Sequence, residues 1–276
     1  MNAPDNIMKI LALVYLLAIV VELFWSKRKK KQVYNWKDSL ANIGIVIGGR
    51  LIKPLSVAWA YFIYTHIMPY QFLAIETNAL TLCIAFFLVE FIYYWHHRLN
   101  HEIPFLWAIH HTHHSSQWFN FVTASRLNWL GKFIGPFFYL PLILAGFSPA
   151  LVVSMLALSL VYQIFIHTEM IGKLGWLEGI LNTPSAHRVH HASNEDYLDK
   201  NYGGILMLYD RLFGTYRPEQ EATEYGVTTG FVGHNPLIIN FQPMIQLFRK
   251  QIKTRKEKMA LPTATHVDNE SVPFQS

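Results

Sequence analysis

The chain contains 14 histidines, and nine of them fall into a spaced pattern: His97-x-x-x-His101, His110-x-x-His113-His114, a lone His167, and His187-x-x-His190-His191. Residues three or four apart share a helix face, so each triplet is expected to aim its three imidazoles at one spot. Two such triplets can hold a pair of metal ions. Neutral imidazole suits iron, zinc, copper and nickel. The single cysteine, Cys83, lies in an apolar run, so no thiolate cluster competes for the role and no disulfide framework is available. A polyhistidine two-metal site in a membrane protein points first to oxygen chemistry on lipid.

A ligating imidazole needs its second nitrogen fixed by a carboxylate or carbonyl, so acids are expected nearby. Glu90 lies two turns before His97 on the same helix face, Glu102 follows His101, Glu169 lies just past His167, and Glu195, Asp196 and Asp199 follow the last triplet. An intramembrane carboxylate such as Glu90 is a functional candidate by default. His167 ends an apolar run and could join the site, with Gln163 one turn before it as an amide ligand or hydrogen-bonding support. His96 and His111 adjoin box residues but are rotated from them by ~100° on a helix, so both are left out. His66, His234 and His266 read as structural histidines.

These residues must be positioned by membrane helices. Of the 276 residues 52% are hydrophobic, 15% aromatic and 15% charged, more apolar than an ordinary soluble chain. Long apolar runs at 7–25, 79–95, 133–147 and 150–166 are read as spanning helices. A fifth candidate, 40–68, carries Arg50, Lys53 and Pro54, and its first part, 42–53, could lie along the interface before the chain enters the bilayer. The expected fold is therefore all-α, an integral-membrane bundle of about four to five spanning helices with a cytoplasmic histidine-box cap. The basic run Lys27-Arg-Lys-Lys-Lys31 after the first span fixes the orientation, with the amino terminus outside and every box on the cytoplasmic side. That run follows its apolar segment instead of preceding it, which argues for an uncleaved anchor. The net charge of +5 sits largely there and in the basic stretch 249–258, matching anionic lipid headgroups and not nucleic acid. Residues 261–276 read as a disordered tail.

With the boxes in place, the chain resembles the fatty acid hydroxylase/sterol desaturase superfamily of integral-membrane di-iron oxygenases. The resemblance extends from Glu90 to Arg217 and is carried by Trp-His-His-Arg-Leu-Asn-His-Glu-Ile-Pro-Phe-Leu-Trp at 95–107, His-His-Thr-His-His-Ser-Ser at 110–116, Gln-Ile-Phe-Ile-His-Thr-Glu at 163–169, Asn-Thr-Pro-Ser-Ala-His-Arg-Val-His-His at 182–191, and the segments 197–204 and 210–215. Segments 165–169 and 182–185 look most like the alkylglycerol monooxygenase branch, whose members use tetrahydrobiopterin to hydroxylate ether lipids. Two places depart from that branch: Ala186 stands where another histidine is usual, and Gln117-Trp-Phe-Asn120 replaces an acidic-aromatic segment.

The resemblance implies His97, His101, His110, His113, His114, His167, His187, His190 and His191 as ligands of two iron ions, with Glu102 as a cofactor-side acid. It implies O2 as oxidant, a lipid drawn from the bilayer as substrate, and electrons from a separate protein or from tetrahydrobiopterin. Domain limits follow: 1–78 as amino-terminal membrane helices and interfacial segment, 79–217 as the hydroxylase-like catalytic domain, and 218–276 as a partly disordered cytoplasmic tail. Hydroxylation of an acyl or alkyl chain is expected, with desaturation as the alternative on the same centre. A metal transporter would place its site near the bilayer midplane at broken helices. A membrane zinc protease would need His-Glu-x-x-His, which fails because Phe105 occupies the last position.

Overall fold

The computed structural model describes residues 3–260, and the expectations for the 261–276 tail and His266 lie outside them. All regular elements among these residues are helical. Four helices are long and apolar enough to cross a bilayer: α1 (Ala3–Lys29), α2 (Trp36–Ile67), α3 (Ala79–Glu102) and α7 (Pro149–Ile166). Between them lie α4 (Pro104–His114), α5 (Gly131–Phe138) and α6 (Leu140–Ala145), and after them α8 (Pro184–His191), α9 (Leu208–Leu212) and α10 (Pro236–Ala260). Their outer faces present large apolar side chains, such as Leu13 at 67% and Phe24 at 70% exposure, to the surroundings. Such a surface is stable only against lipid or another protein.

Helix ends follow local chemistry. Asn35 opens α2 by accepting from the Lys37 and Asp38 amides, Asn78 and Thr81 form a reciprocal capping box on α3, and the Ser148 hydroxyl caps α7. α3 stops because Ile103 precedes Pro104 and is held extended, at φ −95° and ψ 119°. The chain reverses there, and α4 folds back against α3. That single turn brings the two upstream histidine boxes face to face.

Two expectations need correction. The run 133–147 does not form one spanning helix: Pro136 and Pro141 break it at Tyr139 into helices of 8 and 6 residues, because a proline lacks the amide and crowds the preceding turn. The broken pair still links the two ends of the bundle. At one end Lys132 Nζ donates to the Gly49 carbonyl (2.8 Å); at the other the Phe72 and Ile75 amides donate to Leu144 and Gly146. The interfacial alternative for 42–53 also gives way, since α2 runs unbroken for 32 residues through Pro54. At ~48 Å it exceeds the ~30 Å hydrocarbon core, so one end protrudes.

The core between α2, α3, α6 and α7 is apolar, built on Val89, Tyr139, Ile143 and Val152. The protruding part of α2 is instead tied by buried polar groups: Asp38 and Asn42 receive Arg126 Nη1 at 3.0 and 2.7 Å. Residues 236–260, read from sequence as part of a tail, form α10. Its buried Ile239 packs on Ala41 and Ile45 of α2, and Met244 packs on Ala108 and Ile109 of α4.

Candidate metal centre

The nine box histidines converge, but not triplet by triplet. One group holds His97, His101, His110, His114 and His190; a second holds His113, His167, His187 and His191, and within each group the ligand atoms lie within 4.8 Å of one another. The expectation that each triplet serves one spot is therefore corrected: the pairs His110/His114 and His187/His191, four apart, stay together, while His113 and His190 cross to the opposite group. On a helix a residue three positions on is rotated to the other side of the stripe from one four positions on, which lets one short helix feed two centres. The groups adjoin, with the His114 and His191 rings stacked at 4.4 Å.

The imidazole tautomers are set from outside. His97 Nδ1 donates to the Tyr202 carbonyl (2.8 Å), His113 Nδ1 to Arg126 O (3.3 Å), His167 Nδ1 to Gln163 O (2.6 Å) and His190 Nδ1 to Lys200 O (3.0 Å). A carbonyl can only accept, so each proton sits on Nδ1 and each Nε2 turns a lone pair inward. His113 and His167 then face each other Nε2 to Nε2 at 3.2 Å with no proton to share. Nε2 of His101, His190 and His191 is buried without any partner. Opposed lone pairs and orphaned acceptors in a buried cluster call for cations, so the donor set fits two metal ions of the imidazole-binding kind. Burial also holds His110, His114, His187, His190 and His191 well below the ordinary imidazole pKa, and His113 at about 4. They stay neutral and able to ligate at neutral pH.

Residues 199–206 do much of this orienting. Asp199 (φ 57°) and Asn201 (φ 60°) take the left-handed conformation that their short polar side chains tolerate, which aims the Lys200 and Tyr202 carbonyls at His190 and His97. Asn201 is pinned by donating to Ala186 O and Arg217 O and accepting from the Arg217 amide. Glu90 secures the far end, accepting from Ser159 Oγ (2.6 Å) and from the Ile205 and Leu206 amides (2.6 and 3.0 Å). A side chain at Gly204 would meet Ser159 Oγ at 2.4 Å and Glu90 Oε1 at 2.9 Å, so only glycine allows this approach. Glu90 thus touches the strap that orients His97, not the histidines. The sequence marked 197–204 by its resemblance and Asp199 as a nearby acid, but not the orienting role of the Lys200 and Tyr202 carbonyls, because carbonyl acceptors leave no side-chain signature.

The other expected residues divide. Asp199 reaches His101 Nδ1 at 3.4 Å. Glu102 stands outside both groups, paired with Arg98 at 2.7 Å on the surface, and Glu169 pairs with Lys31 at 3.6 Å. Asp196 pairs with Arg217. Gln163 accepts from Tyr93 and donates to Ser159. His96 stacks on Phe138 and His111 approaches Thr229; neither enters a group. Glu22 was read only as a charge interrupting the first span. It is fully buried, accepting from Tyr34, Thr168 and the Phe121 amide, and so ties α1 to the residue after His167.

Two cavity lobes meet at His97, His110 and His113. One, of about 330 Å³, reaches past Tyr93 and Gln163 to Arg50, Lys53 and Lys132. The other, of about 370 Å³, runs between apolar residues such as Ala60, Ile134, Val153 and Leu156. A third cavity of about 210 Å³ lies on the opposite side of the centre, lined by His101, Trp107, His114, His190 and Asp199.

The family model for fatty acid hydroxylase matches residues 82–215, the stretch that holds both histidine groups, and this stretch of the chain is a fatty acid hydroxylase domain. The chain is similar to the alkylglycerol monooxygenase branch: it is 35% identical to alkylglycerol monooxygenase of Xenopus tropicalis over 90% of this chain and 55% of that protein. It is 44% identical to the Homo sapiens alkylglycerol monooxygenase over 59% of this chain and 37% of that protein. It is also 29% identical to the ornithine lipid hydroxylase OlsE of Rhizobium tropici over 86% of this chain and 73% of that protein. The chain spans about half the length or less of the alkylglycerol monooxygenases it matches. No solved structure matches it.

Proposed function

We propose that this chain is a membrane lipid hydroxylase whose nine box histidines hold two iron ions. The observation that carries the reading is that both histidine groups, buried and with inward lone pairs, abut a cavity lined mostly by apolar and aromatic side chains, several of them from the spanning helices. Iron bound there would supply the reduction of O2 and the attack on an unactivated C–H bond. The chain's own contribution is to hold nine imidazoles in one tautomer, to admit a lipid chain between α2, α3 and α7, and to keep bulk water from the reacting carbon. Glu90 acts in this reading as a positioning residue for the 199–206 strap. The similarity to an ornithine lipid hydroxylase and to alkylglycerol monooxygenases supports a lipid substrate.

The side cavity beneath Trp107 and Asp199 gives a separate electron donor, protein or tetrahydrobiopterin, a way to the centre that does not cross the lipid path. The basic residues Lys27 to Lys31 support placing the boxes on the cytoplasmic side. The test compares, by mass spectrometry, the lipids of cells with and without the active protein. Gain of one oxygen on a chain is the expected result. Loss of two hydrogens would make the enzyme a desaturase, and released aldehyde with glycerol would mean hydroxylation at an ether carbon. Unchanged lipids with altered cellular metal would overturn the enzyme reading in favour of transport.

A further inference from the structure

Three cations that line one cavity lobe beside the centre, Arg50, Lys53 and Lys132, belong to neither histidine group. Arg50 and Lys53 lie one turn apart on α2, and Lys132 reaches them from α5, close enough that the three repel one another. None forms an ion pair with a carboxylate among the described residues. No aspartate or glutamate lines the lobe that they share with His97, His110, His113 and His167. From Arg50 to Tyr70, where the apolar segment ends, is ~30 Å of helix, the thickness of the hydrocarbon core. Arg50 and Lys53 therefore sit at the headgroup level. Uncompensated like charges gathered at the mouth of a cavity raise the local concentration of anions, and a guanidinium fork matches phosphate oxygens in pairs.

We propose that Arg50, Lys53 and Lys132 form a binding site for the anionic headgroup of the lipid substrate, with phosphate as its chemistry. The lobe holding Arg50 and Lys53 and the more apolar lobe meet at the histidines, and Lys132 lines both. An amphiphile laid across both puts its phosphate at the interface, its chain between the helices, and a carbon near its headgroup end beside the metal centre. This deepens the hydroxylase reading, on which its meaning as substrate selection rests; the binding itself does not depend on turnover.

The test uses the purified full-length protein in phosphatidylcholine nanodiscs and measures equilibrium binding of two lipids of the same chain length, 1-O-alkylglycerol 3-phosphate and 1-O-alkylglycerol. Wild type is expected to favour the phosphate lipid by ~10-fold or more. Arg50→Gln/Lys53→Gln should lower that preference towards equality, and Arg50→Lys/Lys53→Arg, which keeps both charges, should retain most of it. Equal affinity for the two lipids in wild type, or an unchanged preference in the glutamine pair, overturns the proposal. Displacement of the phosphate lipid by inorganic phosphate at the same concentration would assign the site to the free anion and overturn the lipid assignment. A clear preference in protein that leaves every lipid unoxidised would sustain this site and sink the hydroxylase reading instead.

Discussion

Alanine at His190 is expected to remove the proposed lipid oxidation and to leave the protein in the membrane. His190 lies in the first histidine group, its Nε2 is buried without a partner, and its Nδ1 is committed to the Lys200 carbonyl. Losing a partner behind a ligand commonly lowers metal affinity or activity by ~10- to 100-fold, so losing a ligand should exceed ~100-fold. His113→Ala, in the second group, is expected to do the same. Both side chains come from short helices beyond the spans, so insertion should proceed as in wild type. The comparison is His111→Ala, a buried histidine on the same helix as His113 that belongs to neither group. It should keep most of the activity per folded molecule. Product formation per membrane-inserted protein, quantified by blot and mass spectrometry, checks this, and comparable activity in His190→Ala and His111→Ala would contradict it.

Alanine at Glu90 is expected to have the second-largest effect, on the strap more than on the helices. The carboxylate accepts from Ser159 and from the Ile205 and Leu206 amides, and Glu90 is only 1% exposed. Each buried donor left without an acceptor costs about 1–3 kcal/mol, and three are left at once. Partial relaxation will recover some of this, so a loss of about 2 kcal/mol or more is expected. The diagnostic is local: amide hydrogen exchange at Ile205 and Leu206 should accelerate while that of α1 stays as in wild type. Metal affinity should fall with it, because the carbonyl of Tyr202 is carried on the same strap. Unchanged exchange at those two amides would show that Glu90 does not hold the strap.

The histidines that converge were legible because helical spacing is a one-dimensional signal: His97 and His101, or His110 and His114, share a face in any helix that contains them. How the groups combine was not. His113 and His190 exchange partners because α4 folds onto α3 at Pro104 and α8 is brought in by the chain after α7, which is information held in tertiary packing. Hydropathy found α1, α3 and α7 but not the break at Tyr139, where the two prolines outweigh an uninterrupted apolar composition. The helix at 236–260 was hidden by its basic charges, although Ile239, Met244 and Leu247 mark an apolar stripe along it. Glu90 was visible as an intramembrane acid, yet its partners are backbone amides more than 100 residues away, which no local pattern encodes.

The interleaving of the two histidine groups is tested most directly by counting metal in purified protein reconstituted with iron. Wild type should hold two irons per chain. His167→Ala/His187→Ala, which removes two of the four histidines of the second group, should hold one, and His97→Ala/His110→Ala, which removes two of the five of the first, should also hold one. His187→Ala/His190→Ala takes one ligand from each group although both lie in a single sequence motif, and it should weaken both irons instead of emptying one site. Loss of one iron with full retention of the other in that last variant would mean that each motif serves its own metal, and would contradict the arrangement described here.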